Sequence, residues 1–99
     1  MDGMTDPIHI LVNAFAQALI SHGHAALPAY LEAEELTMGV LEQMHRAGAG
    51  LGHLLLRVRI YDMRSRGMDT GTVMQRLGVS RVYIHKAYKK ELFRRRYAA

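Results

Sequence analysis

Apolar residues return along this chain at intervals of three and four, and nowhere do they alternate with polar ones between turn dipeptides. That spacing places side chains on one face of an α-helix, whereas a half-buried strand needs a period of two. The fold is therefore expected to be all-α. Near the start, Ile8, Leu11, Val12, Phe15 and Leu19 form the stripe, and Ile10, Ala14, Ala16, Ala18 and Ile20 broaden it. Asp6-Pro7 makes a helix start: Asp accepts from free first-turn amides, and Pro fits the first helical position at no hydrogen-bond cost. A first helix is predicted over residues 7–22, stopped by Gly23.

A second helix is predicted from Pro28, with Leu31, Leu36, Met38, Val40, Leu41 and Met44 interleaved with Glu32, Glu34, Glu35 and Glu42 and a bend or break expected at Gly39. Gly48-Ala49-Gly50-Leu51-Gly52 reads as a hinge. A third helix follows from about His53, using Leu54, Leu55 and Val58 on its inner side and ending at Gly67. Asp69 or Thr70 caps a short fourth helix that ends at Leu77-Gly78, and Ser80 caps a fifth that runs from Arg81 to near Tyr97.

Composition narrows what such a bundle can do. With 49% hydrophobic residues, only two prolines and 99 residues, the chain is expected to form one compact unit. The absence of cysteine excludes disulfides, zinc ribbons and thiol nucleophiles, and points to a cytoplasmic setting. The longest weakly charged stretch, residues 7–31, is interrupted by Asn13, Gln17, Ser21-His22-Gly23-His24 and Pro28, and it follows Asp2 and Asp6. Neither a membrane span nor a secretion signal is expected from it. His22, His24, His45 and His53 raise a metal site, but no carboxylate stands at ligand spacing beside them, so neither metal nor cofactor is expected. The glutamates are spread as a solvated face and no Ser-His-Asp order or phosphate-cradling loop stands out, so the chain reads as a non-enzyme.

The net charge of +4 conceals a partition. Residues 1–56 carry one basic residue, Arg46, against six acidic ones, a net of −5; residues 57–99 carry twelve basic against three acidic, a net of +9. Asymmetry of this kind joins a polyanion-binding part to a part with another task. Two regions are accordingly expected: an acidic, apolar helical dimerisation region over residues 1–50 and a basic helix-turn-helix region over residues 51–99.

The second region rests on Thr72-Val73-Met74-Gln75-Arg76-Leu77-Gly78-Val79-Ser80-Arg81-Val82-Tyr83. Gly78 supplies the left-handed turn, Leu77 and Val79 lock the corner, and Val73 faces Ile84 inside. With Ile84, Tyr88 and Leu92 as the inward stripe, the fifth helix turns Arg81, Val82, His85, Lys86 and Lys89 outward. Such a face suits the major groove of double-stranded DNA: Arg and Lys reach guanine O6 and N7, Val82 a thymine methyl, and Ser80 with Arg81 phosphates or base edges. Lys90, Arg94, Arg95, Arg96 and Tyr97 read as a sequence-blind phosphate clamp on the same helix. The plainer reading is a solvated basic surface on a terminal helix.

Residues 57–90, and residues 72–83 above all, resemble the C-terminal helix-turn-helix of the Mor/C family of phage transcription activators, and more loosely the resolvase-type domains. The resemblance implies a phage or mobile-element regulator with N-terminal dimerisation helices followed by a three-helix DNA-binding domain. Residues 47–52 stand where that family has a short strand. So wide an apolar arc fits either the central helix of a monomeric five-helix bundle or a crossing with a second copy, and the second is preferred: a homodimer is expected through Ile8, Leu11, Val12, Phe15 and Leu19. A protein partner such as RNA polymerase or another regulator is compatible with the acidic half. The alternative is a small antiactivator that binds another regulator, with Phe93 on the outward side of the last helix as its contact.

Overall fold

The computed structural model describes residues 6–96. Five helices follow one another: α1 (Pro7–Ser21), α2 (Ala26–Arg46), α3 (Gly52–Ser65), α4 (Thr70–Leu77) and α5 (Arg81–Arg95). Among the described residues there is no strand, as the periodicity predicts.

The start of α1 forms as its sequence dictates. Asp6 is extended at φ −69°, ψ 126°, its carboxylate accepts from the Ile8 amide, and Pro7 takes the first position. At the other end the His22 amide donates to Ala18 and Leu19 carbonyls, and Gly23 leaves the helix at φ +98°. The start of α2 lies earlier than predicted, at Ala26. Pro28 sits within the first turn, where its missing N–H has no helical acceptor to lose. Gly39 does not break α2, which runs continuously over it.

Helices α1 and α2 pack along matching rows: Ile8, Val12 and Ala16 on one, Ala29, Ala33, Thr37 and Leu41 on the other. Steps of four on both sides are the ridge spacing that interdigitates, and the alanines let the backbones approach. At the edge of this contact the Tyr30 hydroxyl donates to Asn13 Oδ1 at 3.0 Å.

That packing corrects part of the expected dimer surface. Ile8 and Val12 are 0% and 1% exposed within the single chain, so they belong to its own core and cannot meet a second copy. Leu11 and Phe15 lie half-buried against the same cluster, and Leu19 is half-buried. The Ile8, Val12 and Ala16 side of the α1 arc is used internally, packed with residues of α2 and α3, while Ile10, Ala14 and Ala18 remain exposed.

The second cluster gathers Ile60, Val73, Ile84 and Ala87, with Met63, Met74, Leu77, Val79 and Tyr88 around them. Helix α3 feeds both clusters: Leu54 and Val58 join the first and Ile60 the second. The charge boundary after residue 56 thus falls inside a helix shared by the two halves.

Candidate nucleic-acid interface

The corner between α4 and α5 is built from short-range chemistry. Asp69 caps α4 by accepting from the Thr72 amide at 2.7 Å. The Thr72 hydroxyl and amide bonded to it hold the Asp69 carboxyl below the usual carboxylate range. Gly78 ends the helix at φ 66°, ψ 35°, a left-handed conformation that costs other L-residues about 1–2 kcal/mol. Its amide returns to the Met74 carbonyl at 2.8 Å. Ser80 then resumes extended geometry, and its Oγ accepts from the Tyr83 amide at 3.1 Å to open α5. Val73 and Ile84 meet in one cluster, flanked by Leu77 and Val79, as the corner requires.

Orientation of α5 follows from that packing. Arg81, Val82, His85, Lys86, Lys89 and Lys90 are all exposed, together with Ser80 ahead of them. None of Arg81, Lys86, Lys89 and Lys90 enters an ion pair among the described residues. The lone carboxylate of α5, Glu91, is buried, so the uncovered face carries no negative charge. A face of this composition concentrates positive potential where a polyanion can approach, and its donors suit phosphate and guanine acceptors.

The inward stripe differs from the expected one. Ile84, Ala87, Glu91 and Arg94 are the buried positions, with Tyr88 and Leu92 half-buried beside them. The stripe follows the true 3.6-residue turn rather than strict steps of four, which carries it onto two charged residues.

Arg94 and Arg95 are therefore placed differently from the proposed phosphate clamp. Arg94 is fully buried, donating from Nη1 to Glu34 Oε2 at 2.8 Å and from Nε to Glu91 Oε1 at 3.0 Å, with a further Nη2 bond to Glu91. Arg95 donates to Glu91 at 2.9 Å while its guanidinium lies 4.2 Å above the Tyr61 ring, which itself stacks on Tyr88. Arg94 is thereby withdrawn from solvent, whereas Arg95, bonded to Glu91 and set over Tyr61, keeps about a third of its side chain exposed. Burial removes Arg94 from the outward clamp and leaves Lys90 and Arg96 exposed with Arg95 half-buried between them; Tyr97 lies outside the described residues. Phe93 is half-buried, which places it differently from the outward contact of the antiactivator reading.

The buried side chains beneath the interface form a network that sequence reading missed. Arg57, 5% exposed at its side chain, donates to Asp6 at 2.8 Å and to Glu91 at 3.1 Å. Together with Arg94, Arg95 and Glu34, three cations face three carboxylates and the cluster is neutral. Burial opposes the charge on Glu91, but Arg94, Arg95 and Arg57 outweigh it and hold the carboxyl below its ordinary value. Burial likewise opposes the Arg94 charge, and its bonds to Glu91 and Glu34 overcome that and raise its pKa. The chain segments joined are the start of α1, α2, α3 and α5, so the network locks the exposed helix onto the acidic half. One signal was present in the sequence: Glu91 lies seven residues after Ile84, on the buried face, and is the lone acid in a basic run.

Among the described residues no three of His, Asp or Glu converge as metal ligands, and no helix is long and apolar enough to cross a membrane. Comparison with known protein families, characterised proteins and solved structures finds no match for this chain.

Proposed function

We propose that this chain is a sequence-specific DNA-binding transcriptional regulator of the phage or mobile-element type, with α4 and α5 as a helix-turn-helix and α5 as the recognition helix. The observation that carries this reading is the basic, carboxylate-free face of α5, left uncovered just after the Gly78 turn and the Ser80 cap. Base reading falls to Arg81, Val82, His85, Lys86 and Lys89, with Ser80, Lys90 and Arg96 toward the phosphates. Association as a homodimer goes with it, through apolar surface that the single chain leaves open on its N-terminal half. Ile10, 52% exposed, and Leu27 and Leu31, at 68% and 63%, are the residues concerned. A two-fold pair would present two recognition helices to an inverted repeat.

Fluorescence anisotropy against genomic fragments over a range of salt concentrations tests the reading. Binding should weaken steeply with salt, and Lys90→Gln should lower the salt slope by about 0.9 if it meets one phosphate. Arg81→Ala should cost on the order of 1–3 kcal/mol on the preferred site and relax preference at one position. Absence of any salt-dependent binding would refute the proposal.

A further inference from the structure

Beside the uncovered face of α5 lies a cleft of about 350 Å³, where α5 meets the starts of α1 and α3. Its walls are apolar: Leu54, Ala87 and the Tyr83 ring. Around them stand His53, Lys86 and Lys90, while Arg57 closes one side with its charge already answered by Asp6 and Glu91. No carboxylate lines the cleft. A concave, mainly apolar site of a few hundred Å³ with a few convergent polar groups is the usual form of a small-ligand pocket. Here the charged side chains in the lining are all basic, so the ligand they complement is an anion. A larger cleft between α2 and α3 mixes Glu42 and Asp62 with Arg46 and Arg59, and so selects no ligand charge.

We propose that the cleft binds a small carboxylate with an aromatic or branched hydrocarbon body. The carboxylate meets the Lys86 and Lys90 ammonium groups at the mouth, and the body lies against Leu54, Ala87 and the Tyr83 ring. Lys86 and Lys90 are both shared with the exposed face of α5, so an occupied cleft engages cations that DNA would otherwise meet. Ligand and DNA therefore compete; this consequence, unlike the binding itself, rests on the DNA reading. By linkage, each weakens the other by the same factor.

The test uses 2-naphthoate as probe and 2-naphthamide as its uncharged counterpart, titrated into the full chain by calorimetry and by heteronuclear NMR without DNA. One saturable site is expected, with shift changes centred on Leu54, Tyr83 and Ala87. The amide, and the double variant Lys86→Gln/Lys90→Gln, should bind on the order of tenfold more weakly or worse, as loss of charge-assisted hydrogen bonds implies. Tyr83→Ala removes a wall that is exposed and outside the recognition set. It should lose naphthoate while retaining its helical circular dichroism and its DNA affinity. Equal affinity for acid and amide, or shifts centred on the α2 and α3 cleft, would overturn the proposal, as would the absence of saturable binding. Naphthoate that binds without lowering DNA affinity would overturn the competition. A chain that binds no DNA but takes up naphthoate would refute the DNA reading and leave the cleft standing.

Discussion

Replacing Glu91 by Gln preserves volume and removes one charge at the centre of the buried network. In the native chain Glu91 accepts from Arg57 Nε, Arg94 Nε and Arg95 Nε, with a further bond from Arg94 Nη2, and it is 0% exposed. Gln keeps one acceptor oxygen, but its NH2 group faces guanidinium donors, and the cluster passes from neutral to a net positive charge. Breaking one side of a buried ion pair typically costs about 3–5 kcal/mol, because it leaves charge uncompensated. The total stability expected of a domain is about 5–15 kcal/mol, so a loss of this size is a large part of it. For a chain of this length, Tm should fall by more than about 10 °C. Urea unfolding followed at 222 nm measures the change, with Glu42→Gln as the reference. Glu42 meets Arg46 on the surface at 3.6 Å, and its loss should cost less than about 0.5 kcal/mol. The double variant Glu91→Leu/Arg94→Met, which removes both members of the tightest pair, should be less destabilised than Glu91→Gln alone. If Glu91→Gln lies within about 1 kcal/mol of the parent, the network is not a clasp and the argument from burial fails.

The same carboxyl sets an acid limit. Because Glu91 is held below its ordinary value of 4.5 in the folded chain, its stabilisation is complete above that pH and is lost as the pH falls through the folded value. Urea midpoints taken downward from pH 5 should therefore drop, and the drop should be shallower in Glu91→Gln. Gly78→Ala should destabilise by about 1–2 kcal/mol because its φ is +66°. Gly39→Ala should instead stabilise by about 0.5–1 kcal/mol, since it lies inside α2 with open space where a Cβ would stand. Thermal melts of the two variants should move in opposite directions. Thr37 is fully buried in α2 and its hydroxyl has no partner, so Thr37→Val should raise stability by about 1 kcal/mol in the same assay.

Local chemistry made much of the architecture legible. Caps at Asp6, Asp69 and Ser80 and the turn at Gly78 act within three or four residues, and all of them occur where the sequence places them. The start of α2 was less legible, because Pro28 is compatible with more than one position in the first turn. Ile8 and Val12 could be recognised as buried positions but not assigned to a neighbour. Periodicity tells which face is covered, never by what.

What the sequence by itself determined is the all-helical chain, the placement of the α4 and α5 corner, and the concentration of positive charge in the second half. These depend on hydrogen bonds and torsions between near neighbours and on composition, which linear order carries. Only the tertiary structure decided which of those cations remain available. Arg57 and Asp6 are 51 residues apart, and Arg94 and Glu34 are 60, yet both pairs bond directly. A guanidinium stays in the interior only where carboxylates gathered from distant segments repay its desolvation, and that gathering is a property of the packed helices. Among the cations on and beneath α5, Arg57, Arg94 and Arg95 hold the helix in place, and Arg81, Lys86, Lys89, Lys90 and Arg96 are exposed.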